Sequence, residues 1–436
     1  MDIWTAGFSS QSPTEVYINY DVIGSGGGVK EYIDDQVQFC ISDAPLTTEQ
    51  RNEVVDKARV PLHIPIVMGA VAISHNIPGY FHELQLTASV LARIFSGVIT
   101  RWNDPAINSL NPQLASFNKD IVVVRRADAS GSTYVLSDYL SQAAPTSQWR
   151  LGKGVGGPEH APEFPLSTIG AYKDQGVADV IKNTPYSIGY LEYGTARLNG
   201  LQDALIENQN GEMVALDEAS VEDAATEAIH TGLPRSRDNW AAFTLVNRPG
   251  ELTWPLSTFS YMIFDENLIP HRTAGIATEA FAIYVLTQVA QSKVSSVGYE
   301  QLLRDVIAKN AEGISQIRSD RNDPEVSGVE DFLSIEGSVG DTPDTTTVPS
   351  VAPTGPATII EYIQNKQNRG LVAGVVIFML LFVIVLIVAC ILCCRIRRIT
   401  KKFKRTQSPV VVKDDTKQDD SEIELEPSEA AVAVND

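Results

Sequence analysis

The chain reads as an α/β protein, and three features carry that reading. Short β-branched or aromatic runs alternate with helical patterns from the start of the chain to about residue 325. One run, Ile121–Arg126, passes through a small-residue turn directly into the apolar-periodic segment Thr133–Gln142. The alternation then stops, and segments of quite different composition fill the rest of the chain.

Taken in order, the strand candidates are Val16–Val22, Val37–Ser42, Ile64–Ile73, Ile121–Arg126, Ser187–Leu191 and Phe259–Phe264. Each is rich in Val, Ile, Phe or Tyr and is bounded by turn-forming residues. Between them lie helix candidates at Lys30–Asp34, Thr87–Ser96, Thr133–Gln142, Gly176–Asn183 and Thr278–Gln291.

Beyond 325 come GDTPDTTTVPSVAPTGP and similar stretches, read as a disordered stalk over 326–370. Residues 371–394, LVAGVVIFMLLFVIVLIVACILCC, carry no charge. At about 1.5 Å per residue this stretch spans roughly 36 Å, the length of a transmembrane helix. Arg395, Arg397, Arg398, Lys401, Lys402, Lys404 and Arg405 follow at once, which predicts a single-pass type I arrangement with the tail 395–436 in the cytosol. The globular part is then extracellular or luminal. Cys390, Cys393 and Cys394 lie at the inner interface, where they read either as palmitoylation sites or as apolar filler. No signal peptide is visible before the first strand, so either the start is truncated relative to the natural protein, the favoured reading, or the transmembrane helix alone directs insertion.

The net charge of −20 argues against nucleic acid as a partner, because no basic field covers the chain. Residues 395–436 hold nine Lys/Arg and nine Asp/Glu, so the first 394 carry the whole −20. Any anion site there must be local. Cys40 stands apart from the C-terminal cysteines and reads as a buried small hydrophobe. No Cys/His spacing suits a metal, and neither HExxH nor GxSxG occurs, so no cofactor and no enzyme activity are expected.

The segment IVVVRRADASGST gathers a guanidinium, two hydroxyls and free backbone N–H groups where a strand meets a helix N-terminus. That combination can hold an oxyanion without a metal, although a capped helix beside a surface arginine has the same local sequence. A second element of the kind is Ile23–Gly28, IGSGGG, between a strand and a helix pattern. Val29 stands where a dinucleotide fingerprint requires its last glycine, and no GK[ST] follows.

Several segments together resemble the phosphate-binding proteins of bacterial phosphate ABC transporters. They are IGSGGGVKEYI, VQFCISDAPLT, SGVITRWNDPAINSLNP, VVVRRADASGST, PYSIGYLEYGTA and WPLSTFSYMI, in the family's order over roughly residues 3–310. The resemblance implies a two-lobe type II periplasmic-binding-protein fold with the ligand in the cleft. Lobe one would take about 1–74 and 256–325, and lobe two about 75–255. The family's phosphate contacts fall on Ser25, Asp43, Arg126, Ser130, Gly131 and Ser132, with Gly24 and Gly26 in support and Asp128 orienting the arginine. A bidentate guanidinium and hydroxyl donors suit a tetrahedral oxyanion. Asp43 suits only an anion that brings a proton, which favours phosphate over sulfate; read without the resemblance, it is equally a turn residue before Ala44-Pro45. The family also uses a Thr-Phe turn upstream of Ile3, which is absent, and its members lack the tail. The implied function is capture of inorganic phosphate at a membrane surface for a separate phosphate transporter. A phosphate-sensing receptor and a degenerate surface protein are the alternatives.

Overall fold

The computed structural model describes residues 17–157 and 161–320. The stalk, the apolar stretch 371–394 with Cys390, Cys393 and Cys394, the tail, and residues 1–16 lie outside the described residues.

Among the described residues, ten strands and their intervening helices form a mixed α/β fold. In chain order the strands are β1 (Phe39–Ser42), β2 (Pro61–Asn76), β3 (Gln85–Leu86), β4 (Val122–Arg126), β5 (Ile169–Ala171), β6 (Ser187–Glu192), β7 (Gln202–Asp203), β8 (Leu205–Glu207), β9 (Met213–Val214) and β10 (Ser257–Asp265). The main sheet runs β1-β10-β2-β6-β4-β5, with β7 paired to β2, and β3-β8-β9 form a small second sheet.

The 16-residue β2 organises the molecule. From Pro61 to Ala70 it pairs antiparallel with β10. From Val71 to Asn76 it pairs instead with β6. One strand therefore belongs to two ladders, and the change of partner falls between Ala70 and Val71. Trp254, fully buried, donates its indole N–H to the Val71 carbonyl at 3.1 Å and fixes the chain at that change. Fourteen of the sixteen residues are buried, because helices cover both faces; a run such as IPIVMGAVAI shows that as continuous apolar sequence rather than alternation. β4 runs parallel to both β5 and β6, as strands joined by helical crossovers do.

Five predicted strands are present, each a residue or more longer or shorter than expected. Val16–Val22 is a correction: residues 17–22 form no regular element, and Tyr17, Tyr20 and Val22 are exposed. A β-branched run becomes a strand only beside a ladder partner, and none of the described strands pairs with it. Thr278–Gln291 is a second correction, since it holds two helices, Arg272–Val285 and Gln288–Val294. Thr287 ends the first by capping the next, its hydroxyl accepting from the Ala290 N–H. The helix predicted at Lys30–Asp34 starts far earlier, at Gly24. Cys40 is buried and free. Among the described residues no single helix is long and apolar enough to cross a membrane.

Candidate functional site

Two helix N-termini converge beside the end of β4. One belongs to Gly24–Ile33, which precedes β1, and the other to Gly131–Ala143, which follows β4. Four of the first five residues of the Gly24 helix are glycine, a poor choice for helix formation. The reason is proximity. A Cβ on Gly24 would lie 2.6 Å from the Ala129 carbonyl oxygen, and one on Gly26 would lie 2.5 Å from the Ala129 Cβ. Gly24 also has φ +80°, in the left-handed region. The Gly26 N–H donates to the Ala129 carbonyl at 3.1 Å and ties the two turns together.

From the other side Gly131 meets Ser25 and Asp43. A Cβ there would stand 2.5 Å from Ser25 Oγ and 2.6 Å from Asp43 Oδ2. Ser25 Oγ accepts the Asp43 N–H at 3.2 Å and keeps its own hydrogen for a ligand. Ser130 caps the Gly131 helix, its Oγ accepting the Ser132 N–H at 3.1 Å. The Gly24 helix has no side-chain cap, and neither helix has an acidic residue in its first turn. Their N-terminal dipoles thus lack an internal counter-anion of their own.

Arg126, at the end of β4, is 4% exposed. Asp128 takes its Nε and Nη2 donors at 2.8 and 2.5 Å, and Asp174 takes Nη1 at 2.6 Å. A guanidinium has five N–H groups, so two remain uncommitted among the described residues, one on each terminal nitrogen. Burial opposes the charge, but Asp128 and Asp174 outweigh it and hold the guanidinium protonated. The Asp128 carboxyl is held below its usual range: its own burial works the other way, and Arg126 outweighs that.

Asp43 follows β1. Ser260 on β10 donates to its Oδ1 at 2.5 Å, and the Thr258 hydroxyl donates to its carbonyl at 2.9 Å. Its Oδ2 faces Gly131 and accepts no hydrogen bond from the described residues. Burial pushes its pKa up, the Ser260 bond opposes this, Asp174 adds to it, and the net direction is upward. Glu192, a fourth carboxylate nearby, is pushed up to about 7 by burial, against the Gly194 and Thr195 N–H groups that favour its charge.

All nine predicted positions, Gly24, Ser25, Gly26, Asp43, Arg126, Asp128, Ser130, Gly131 and Ser132, therefore lie in one continuous set of contacts. Sequence reasoning missed Asp174, Glu192, Ser260 and Thr258. Ser260 and Thr258 alternate along β10 and so share a face, a pattern the segment STFSYM does display. Asp174 carried only the weak signal of an acid in a helix's first turn.

A mixed α/β fold with one strand common to two ladders, and a polar cluster where loops from both meet, defines a two-lobe ligand-binding protein. The sequence matches the PBP superfamily domain over residues 1–289, and the chain belongs to that family. It is 32% identical over 271 residues to the phosphate-binding protein PstS of Haemophilus influenzae, covering 60% of this chain and 74% of that protein. It is 28% identical to PstS of Methanocaldococcus jannaschii, covering 72% of this chain and 82% of that one. Among solved structures, the phosphate-binding protein of Stenotrophomonas maltophilia has a TM-score of 0.53 at 19% identity, over 75% of this chain and 96% of that one. A high-affinity periplasmic phosphate-binding protein, PfluDING, solved with phosphate, has a TM-score of 0.54 at 18% identity, over 75% and 95%. These two share the fold with this chain.

Proposed function

We propose that this protein binds inorganic phosphate between the Gly24 and Gly131 helix N-termini and delivers it for uptake. The observation that carries the reading is the pairing of a buried arginine that keeps free N–H groups with a carboxylate, Asp43, whose Oδ2 is unpaired beside it. Arg126 would grip two oxygens, Ser25 and Ser130 would donate hydroxyls, Gly131 its backbone N–H, and Ser132 would complete the shell. Gly24 and Gly26 would keep the turns in contact, and Asp128 would hold the arginine plane. Asp43 would accept the proton that phosphate still carries near neutral pH and sulfate lacks.

The lobes would divide at about residues 74 and 256, close to where β2 changes partner. The site is read as a binding site: none of its hydroxyls is hydrogen-bonded to an imidazole among the described residues. The relatives named PstS support an extracytoplasmic ligand-binding domain. The anchor 371–394, palmitoylated cysteines at its inner end and a separate transporter complete the picture as proposals from the sequence.

Titration calorimetry of the full chain with inorganic phosphate tests the reading. Arg126→Ala is expected to weaken binding by about a hundredfold or more, the cost of removing a charged, hydrogen-bonded partner. Phosphate binding equal to wild type in Arg126→Ala would overturn the site.

A further inference from the structure

Asp174 opens a feature of the site that the phosphate reading does not require. Its carboxylate receives three hydrogen bonds. Oδ2 accepts from Arg126 Nη1 at 2.6 Å, while Oδ1 accepts from the Ser132 hydroxyl at 3.0 Å and from the Glu192 backbone N–H at 2.9 Å. The first two donors belong to residues placed in the anion shell.

The consequence for Ser132 is specific. Its N–H goes to Ser130 Oγ and its only O–H goes to Asp174, so what it turns toward an anion is lone pairs. Arg126 is likewise flanked by two carboxylates rather than one. The placement of Asp174 is built in. Lys173, the residue before it, has φ +62°, a conformation seldom taken by a side-chain-bearing residue. The Lys173 N–H is held by Asp128 Oδ1 at 3.1 Å, so the same carboxylate that clamps Arg126 also positions the turn that presents Asp174.

We propose that Asp174 is an internal competitor for the anion: its carboxylate holds the Ser132 hydroxyl and one of the two Arg126 Nη1 N–H groups, and its charge beside the remaining donors sets the affinity of the site. The inference rests on the phosphate reading above. An incoming oxyanion takes the free N–H of Arg126 Nη1 beside Asp174 Oδ2 and draws the Ser132 hydrogen from Oδ1. Asp174 stays anchored by the Glu192 N–H and returns when the ligand leaves. Its charge opposes every oxyanion alike, so it governs strength and release, whereas Asp43 governs choice between anions.

The test is titration of the full chain with inorganic phosphate and with sulfate. Asp174→Asn keeps an oxygen for the Ser132 and Glu192 donors but removes the charge and frees the second N–H of Arg126 Nη1. It is expected to tighten both anions by about tenfold, leaving their ratio unchanged. Asp174→Ala, which also frees the Ser132 hydroxyl, should tighten both by at least as much. Unchanged or weaker binding in a variant that melts as a folded protein overturns the proposal. The wild-type chain with 13C-labelled aspartate supplies a readout free of folding effects: saturating phosphate should move the Asp174 carboxyl resonance, and a resonance that stays fixed also overturns it. Arg126→Ala run in parallel separates the two ideas. Lost binding there without tightening in Asp174→Asn sinks only the competitor; retained binding there sinks the phosphate site itself.

Discussion

At the scale of single residues, the chemistry of the site comes from unequal environments of similar groups. Arg126 is held by two carboxylates and still keeps two N–H groups. Asp43 has one bonded oxygen and one bare one. Its raised pKa has a functional corollary. Once protonated, Asp43 becomes a donor and no longer rejects an anion without a proton. The preference for phosphate over sulfate should therefore shrink as pH falls through the Asp43 pKa. In Asp43→Asn the preference should be small at every pH, lower by about tenfold or more near neutrality. Competition titrations at several pH values check both. A preference that stays constant with pH in the wild type would remove Asp43 from the selective role. These side chains were legible in the sequence because Arg126, Asp128, Ser130 and Ser132 lie within seven positions and share one turn. Asp174 was not, because it arrives from a helix 48 residues later through tertiary packing.

At the scale of elements, the site depends on how closely two helix starts can approach. The Gly131 Cα packs on Ser25 and Asp43 with no room for a methyl group. Gly131→Ala should force the turns apart, destabilise the fold by about 1–3 kcal/mol and weaken phosphate binding by about a hundredfold. Calorimetry together with thermal melting checks this, and a variant binding like wild type would show that the approach is not needed. The strand-turn-helix at Ile121–Ala143 and the long buried β2 could be read from composition, since β-branched runs and 3.6-residue periodicity are local. Residues 17–22 could not, because whether a β-branched run is a strand depends on a partner elsewhere. The start of the Gly24 helix was hidden for the opposite reason: GSGGG reads as a loop by propensity, yet the helix opens on Gly24 in a left-handed conformation and runs through the other glycines where they must pass Ala129.

At the scale of the whole molecule, buried carboxyls give the domain a particular response to pH. Burial pushes Glu192 up to about 7 and Asp203 up to about 6. Folded, these groups hold protons that the unfolded chain releases near pH 4. Their contribution is thus complete below about pH 4 and is lost as pH rises through about 6 to 7. Asp128 acts in the reverse sense, its contribution fading in strong acid as it protonates away from Arg126. The buried His63 and His75, pushed down to about 3 and about 4, oppose this and cost stability as pH falls below about 6.5, so the melting temperature should peak between about pH 5 and 6.5 and decline above that as the carboxyls ionise. Glu192→Gln should flatten that decline; an unchanged slope would mean that Glu192 is ionised throughout. The two-lobe class was expected from the resemblance, while the passage of β2 from one ladder to the other could be seen only in the folded chain.

The glycine contacts carry one more consequence, for how this protein can be studied. Gly24, Gly26 and Gly131 meet their neighbours through backbone, and Gly194 does the same against Val297 and Gly298, where a Cβ would come within 2.1 Å of the Val297 carbonyl oxygen. A scan that truncates side chains to alanine would register Arg126 and Asp43 and pass over these glycines, because they have no side chain to remove. They become visible only to substitutions that add atoms. A map of functional positions built by subtraction would thus outline the ligand shell and overlook the surfaces that bring its halves together.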